Sequence, residues 1–392
     1  MRLLLVIPYF APAYAFGGSV TVAETVVEDL LAAGHRVTVL TTDVLDERHR
    51  LDRDAPAVPV GAEVVRFPNA SHWLAARLNG YAPRGFRSWL AANTARFDVV
   101  LLQDVYSMLS VCGARAASAA GIPYVLQPLG TLSPAAERGR PLVKRMFLHL
   151  WGRETVSRAD ALFSCARHES DDLMATGARA EQIVPMPLPL DLPLPSDQTK
   201  AERPTIAFVG RLHPIKGLEE LIEAVAQVRR EIPDVCLEII GPGDHYRRHL
   251  QTLVGRLGID DHVVFHGFVA VEEKLLVLRR AHVSALLSKS EGLPMAALEA
   301  MACGTPVVLS RGCHLDEVDQ QAGLVVSGQP EDAAGALYRL LSEPELREKL
   351  SAGALALAQN FRRELVMLNM VAALEAVVAD GTRQSSRHML AG

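Results

Sequence analysis

Short apolar runs alternate with amphipathic stretches twice along this chain, once on each side of a proline-rich interval, and that rhythm leaves few architectures open. Residues 3–7 are apolar; a loop holding Gly17-Gly18 follows, then an amphipathic stretch over residues 21–33, Gly34 as a C-cap, and a second apolar run over residues 37–41. Run, helix-period stretch and run together make a βαβ unit. The alternation continues with strands expected at 64–67, 98–103, 123–127 and 161–165, and a helix at 107–120 closed by Gly121. Uninterrupted apolar strands separated by helices predict a parallel sheet covered on both faces.

The pattern stops where Pro185, Pro187, Pro189, Pro193 and Pro195 crowd together ahead of the polar residues 196–203, which reads as a linker. A second series then begins. Strands are expected at 205–209, 236–240, 263–265, 283–287 and 306–309, helices at 218–230 and 295–302, and helical segments onward to about Asp380. The fold class is therefore α/β, with two Rossmann-like doubly wound domains facing a cleft at the carboxyl ends of their strands.

Composition closes off other classes. Hydrophobic residues make up 49% and charged residues 22% of the 392, so neither a disordered nor a fibrous chain is expected. The net charge of -5, with the basic residues scattered, argues against a nucleic-acid partner. Cys112, Cys165, Cys236, Cys303 and Cys313 form no CxxC pair and read as reduced thiols. No apolar stretch approaches the roughly 18 residues of a spanning helix, and Pro8 ends the first run too soon for a signal peptide. The expected location is cytoplasmic, at most peripheral to the inner face of a membrane. Arg138, Arg140, Lys144 and Arg145, interleaved with Leu142, Val143, Met146, Phe147, Leu148 and Trp151, are the candidate contact for an anionic membrane surface, or else an amphipathic helix on its own domain.

Two segments of the second half carry chemistry. Gly210-Arg211-Leu212-His213-Pro214-Ile215-Lys216-Gly217 joins a strand to a helix, so Arg211 and Lys216 bring two cations to a positive helix end, an arrangement suited to a diphosphate. Its spacing is not that of a Walker loop. Farther on, Glu291 stands in a loop and Glu299 in the helix behind Pro294, with seven residues between them. An acid among Leu298, Ala300, Met301 and Ala302 needs partners, which vicinal ribose hydroxyls would supply. Gly17-Gly18 would let backbone N–H groups approach a phosphate or sugar.

Taken with Glu299-Ala300-Met301-Ala302-Cys303-Gly304-Thr305-Pro306 and Phe265-His266-Gly267, these segments resemble retaining glycosyltransferase family 4, whose architecture is called GT-B. The resemblance implies an acceptor-side domain at 1–190, a linker at 191–203, a nucleotide-sugar-binding domain at 204–360, and a C-terminal helix at 361–392 returning to the first domain. It further implies transfer of a sugar from a nucleotide-diphosphate sugar, with retention, to a glycan, lipid-linked or small-molecule acceptor. No cofactor and no metal are expected. Arg211, Lys216 and Glu291 would be catalytic; Gly17, Gly18, Gly210, Gly267, Phe268, Gly292, Leu293, Met295 and Glu299 would bind the donor. Arg211 and Lys216 would hold the diphosphate, Glu299 the ribose, and the loop from Glu291 to Met295 the sugar hydroxyls.

The chain departs from the family pattern at Pro128-Leu129-Gly130, where relatives have a histidine before the glycine. It departs again at Leu101 and Gln103 with Asp104 following, and at Leu188-Pro189. No catalytic histidine is carried over. Two other readings stay open: a nucleotide-sugar epimerase of the same fold, and a non-catalytic nucleotide-sugar-binding protein.

Overall fold

The computed structural model describes residues 1–16, 18–46, 49–52, 59–70, 83–132, 141–191 and 199–390; for residue 141 and residues 382–390 it describes the backbone alone. The chain divides into two compact units, Met1–Pro189 with Glu364–Gly392, and Leu190–Arg363. Most of the expected linker, residues 192–198, lies outside the described residues, as do Gly17, Arg138 and Arg140.

In the first unit the strands are β1 (Arg2–Val6), β2 (Arg36–Thr42), β3 (Glu63–Phe67), β4 (Val99–Gln103), β5 (Tyr124–Gln127), β6 (Ala161–Ser164) and β7 (Ile183–Pro185). They lie in the order β3-β2-β1-β4-β5-β6-β7, every neighbouring pair parallel. Leu3, Leu4, Leu5 and Val6 are wholly buried, because helices cover both faces of a parallel sheet. Helix Gly18–Ala32 turns Val20, Ala23, Val26, Val27 and Leu30 inward, the spacing of one helical face. Helix Met108–Ala120 starts where the Ser107 hydroxyl accepts the Leu109 N–H and stops at Gly121, φ 66°.

The second unit holds β8 (Thr205–Val209), β9 (Cys236–Ile240), β10 (Val263–Gly267), β11 (Val283–Leu286), β12 (Val307–Ser310) and β13 (Gly323–Val326). These too are parallel, in the order β10-β9-β8-β11-β12-β13. Each sheet reverses its winding beside its own first strand, between β1 and β4 and between β8 and β11. A doubly wound sheet opens a crevice at the carboxyl ends of such a pair, because the two connections leave in opposite directions.

Element ends differ from the sequence expectation in places. The first helix begins at Gly18 rather than residue 21, and the helix expected at 218–230 is Leu218–Val228. Strand β10 runs on to Gly267 through a register shift between Phe265 and Gly267. Strands β7 and β13 were not among the expected strands; β7 ends in a proline, while β13 does coincide with the apolar residues 324–326. The last helix, Arg363–Leu390, continues past Asp380.

Candidate active site

The switch point of the second unit gathers the charged residues. The loop after β8 carries Arg211 and Lys216, and the loop after β11 carries Glu291. Lys216 Nζ bonds Glu291 Oε1 at 2.6 Å, with side chains 19% and 11% exposed, and the Ser288 hydroxyl donates to the same oxygen. The Lys289 N–H bonds Ile215 O at 2.7 Å and ties the two loops together, while the Glu291 N–H bonds Gly312 O, after β12, at 2.9 Å. Lysine and glutamate are thus held together from positions 75 residues apart. Arg211 is exposed and forms no ion pair among the described residues.

Glycine makes this approach possible. Gly217 has φ 67°, and a Cβ there would run into the backbone carbonyl of Leu287, so only glycine lets the two loops meet. Gly241, after β9, likewise lies against the carbonyl of Gly210, whose own N–H is bonded to Ile240 O at 2.9 Å. Between the cations, His213 Nδ1 accepts the Ile215 N–H at 3.2 Å. Burial, then Arg211 and Lys216, push the His213 pKa down, which suits an acceptor nitrogen.

The remaining expected donor residues lie on other elements. Helix Met295–Ala302 begins after Pro294 and carries Glu299. Glu299 is not buried alone, as its neighbours suggested: it is 22% exposed and bonds Lys274 Nζ through Oε1 at 2.7 Å. Lys274 was missed by sequence reasoning, since nothing in the spacing ties it to Glu299. Gly292 and Met295 are partly exposed, while the Leu293 side chain is buried and anchors the loop. Gly267, φ 77°, accepts the Gly241 N–H, and Phe268 beside it is 84% exposed. Gly18 opens its helix in the first unit, while the others belong to the second.

In the first unit, the carboxyl ends of β4 and β5 hold a different polar cluster. The Gln103 amide donates to Gln127 Oε1 at 2.9 Å, both side chains wholly buried. Asp104 follows with φ 85° and accepts the Tyr106 N–H at 2.9 Å; burial lifts its carboxyl to about 6. Leu129 has φ 57°. The buried Glu169 spans the adjoining turns, taking the Gly130 N–H on one oxygen and the Cys165 N–H, at 2.8 Å, on the other. Burial raises its pKa as well.

A hollow of about 790 Å³ lined by Lys200, Arg203, Glu238 and Arg280 opens where Thr205 and Cys236 begin β8 and β9, the opposite end of those strands from Lys216. The tripeptide Asp52-Arg53-Asp54 has the DxD spacing, but Arg53 and Asp54 lie outside the described residues.

Residues 17–189 match the family model described as "Glycosyl transferase 4-like domain", and residues 195–356 match "Glycosyl transferases group 1". A D-inositol 3-phosphate glycosyltransferase of Stackebrandtia nassauensis is 30% identical over 68% of this chain and 65% of its own length. A GDP-mannose-dependent alpha-(1-6)-phosphatidylinositol monomannoside mannosyltransferase of Mycolicibacterium smegmatis is 37% identical over 36% of this chain and 40% of its own. The chain spans about two fifths to two thirds of the length of the curated relatives it matches. Among solved structures, Anabaena HepE in complex with UDP has a TM-score of 0.78 at 19% identity, over 96% of this chain and 100% of that one. Sucrose-phosphate synthase from Thermosynechococcus elongatus has 0.73 at 22%, over 97% and 99%. Those two likenesses concern fold alone. With both family models matched in tandem across two doubly wound units, the chain belongs to the group 1 glycosyl transferases, with the GT-B fold.

Proposed function

We propose that this chain is a metal-independent retaining glycosyltransferase that moves a sugar from a nucleotide-diphosphate sugar to an acceptor hydroxyl. The observation that carries the reading is the Lys216–Glu291 pair at the β8/β11 switch point, with Arg211 in the loop of Lys216 and Glu299 on the helix that follows Glu291. Lysine has three N–H donors, so Lys216 can keep Glu291 and still reach an anion. As the glycosidic bond loosens toward an oxocarbenium ion, negative charge gathers on the leaving diphosphate. Arg211 and Lys216 stabilise it there, in a site where fixed charges need no reorganisation. Glu291 Oε2, to which no described residue donates, is free to accept a donor-sugar hydroxyl, and Glu299 a ribose hydroxyl. Gly210, Gly267, Phe268, Gly292, Leu293 and Met295 form the backbone and walls around the nucleotide and sugar. The leaving phosphate oxygen takes the acceptor proton, so no enzymic base is required.

The named relatives act on an inositol phosphate and a phosphatidylinositol mannoside, which makes polyol phosphates and lipid-linked glycans the first acceptors to try. A cytoplasmic position with peripheral membrane contact fits the helical stretch after residue 141. Leu142, Val143, Met146 and Leu150 are exposed there beside Arg145 and Arg153. No helix among the described residues is long and apolar enough to cross a membrane.

The test pairs UDP-, GDP-, ADP- and TDP-sugars with those acceptors in EDTA, reading product and anomeric configuration by NMR. Transfer with retention in EDTA is the expected result. Epimer formed without acceptor would move the protein to the epimerase reading, and restoration of lost transfer by magnesium or manganese would remove the metal-free clamp.

A further inference from the structure

The two glutamates of the site share one construction, and its second lysine, Lys274, stands outside the segments that carry the family resemblance. Each is bonded by a lysine on a single oxygen, Glu291 by Lys216 at 2.6 Å and Glu299 by Lys274 at 2.7 Å. Among the described residues nothing donates to the second oxygen of either. Lys274 comes from helix Val271–Arg280, which packs on helix Met295–Ala302. Glu299 is the single charged residue of that second helix, so no neighbour on its own element can orient it. Glu272 and Glu273, next to Lys274, are exposed, while the Lys274 side chain is only 19% exposed. A largely covered ion pair adds little stability in itself, because the cost of taking both charges out of water offsets their attraction. Its effect on shape is larger: with Oε1 fixed, the carboxylate presents Oε2 in one direction.

We propose that Lys274 is a positioning residue for the nucleotide ribose: it holds Glu299 so that Oε2 faces the ribose hydroxyls. This rests on the donor-site reading above. A side chain already ordered loses no further freedom when ligand arrives, and that is worth about tenfold in affinity. The gain is confined to ligands that use the oriented oxygen.

Isothermal titration of the whole protein with UDP, GDP and ADP, and with their 2′-deoxy and 3′-deoxy forms, tests this. The wild type should bind one ribonucleotide about tenfold more tightly than the form lacking the recognised hydroxyl. Lys274→Met should weaken the ribonucleotide about tenfold and that deoxy form less than about twofold, erasing the preference. Lys274→Arg should restore most of it, since a guanidinium also donates to one carboxylate oxygen. Equal weakening of both forms in Lys274→Met would reduce the pair to a helix–helix tie and overturn the proposal. So would a preference that survives Lys274→Met but is lost in Glu299→Gln, an outcome that leaves the donor site standing. If the wild type binds none of the three diphosphates, the donor-site reading falls and this one with it.

Discussion

Under the proposed function Lys216 carries two tasks through one ammonium group, holding Glu291 and meeting the diphosphate, and Arg211 carries one. Arg211 is exposed and without an ion pair among the described residues, so Arg211→Ala removes only a contact to the diphosphate. Losing one charge-assisted donor to a leaving group costs about 2 to 4 kcal/mol in the transition state, roughly 30- to 1,000-fold in kcat/KM. Lys216→Ala removes the same kind of contact and also leaves Glu291 with the Ser288 hydroxyl as its remaining side-chain donor. Steady-state kinetics should therefore rank Lys216→Ala below Arg211→Ala, with both far below wild type; two variants of near-normal kcat/KM would remove the clamp. Asp104 gives a pH signature of a different kind. Burial raises its folded pKa from the ordinary aspartate value to about 6, so the native state binds the proton more tightly than the unfolded chain. The stabilisation from that proton is complete below about pH 4 and is lost as pH rises through 6. Asp104→Asn keeps an oxygen for the Tyr106 N–H and has no proton to lose. Its melting temperature relative to wild type should climb between pH 4 and 7 by the equivalent of about 2 to 3 kcal/mol, then level off. A difference that stays flat across that range would show that Asp104 does not titrate there.

At the scale of elements, what could be read ahead was set by local pattern, and what could not was set by packing. Strands β8 and β9 coincide with their apolar runs, and helix Met295–Ala302 with its Pro294 and Gly304 punctuation. Arg211 with Lys216, and Glu291 with Glu299, were legible as two separate segments; that Lys216 meets Glu291 follows from the loops after β8 and β11 sharing a switch point. Strand β7 was not legible: its three residues end in Pro185, at the sheet edge where proline is tolerated and looks like a loop. Nor was Lys274, whose partner stands 25 residues away on another helix; only the packing of the two helices joins them. Gly217 was recognisable as part of a motif, but its purpose appears only in three dimensions. Gly217→Ala would put a left-handed conformation on a residue with a side chain and drive its Cβ into the Leu287 carbonyl. The strain is about 1 to 3 kcal/mol before the clash is relieved, and relief requires the loops after β8 and β11 to part. Activity should then fall along with thermal stability, whereas Arg211→Ala should lower activity alone. Denaturant midpoints measured on both variants check this, and a Gly217→Ala protein with wild-type midpoint would mean the loops have room to spare.

The whole molecule consists of two units with separate sheets and separate cores, crossed by the chain at Pro189 to Leu190 and again at Arg363 to Glu364. Every residue assigned here to the diphosphate and ribose belongs to the second unit: Arg211, Lys216, Glu291 and Glu299 lie between Leu190 and Arg363. A ligand stabilises the structure that binds it by mass action, by about 2.7 kcal/mol at a hundredfold excess over Kd. In a multi-unit chain that gain need not be shared, since each core unfolds with its own cooperativity. Differential scanning calorimetry should therefore resolve two transitions, and saturating nucleoside diphosphate should raise one of them by roughly 5 to 10 °C while moving the other little. Glu299→Gln should shrink the shift of the responsive transition and leave the other unchanged. Limited proteolysis identifies which is which: peptides from β8 to β13 should gain protection with nucleotide, and those from β1 to β7 should not. An equal shift of both transitions, or protection centred on β1 to β7, would relocate the nucleotide site away from the β8/β11 switch point.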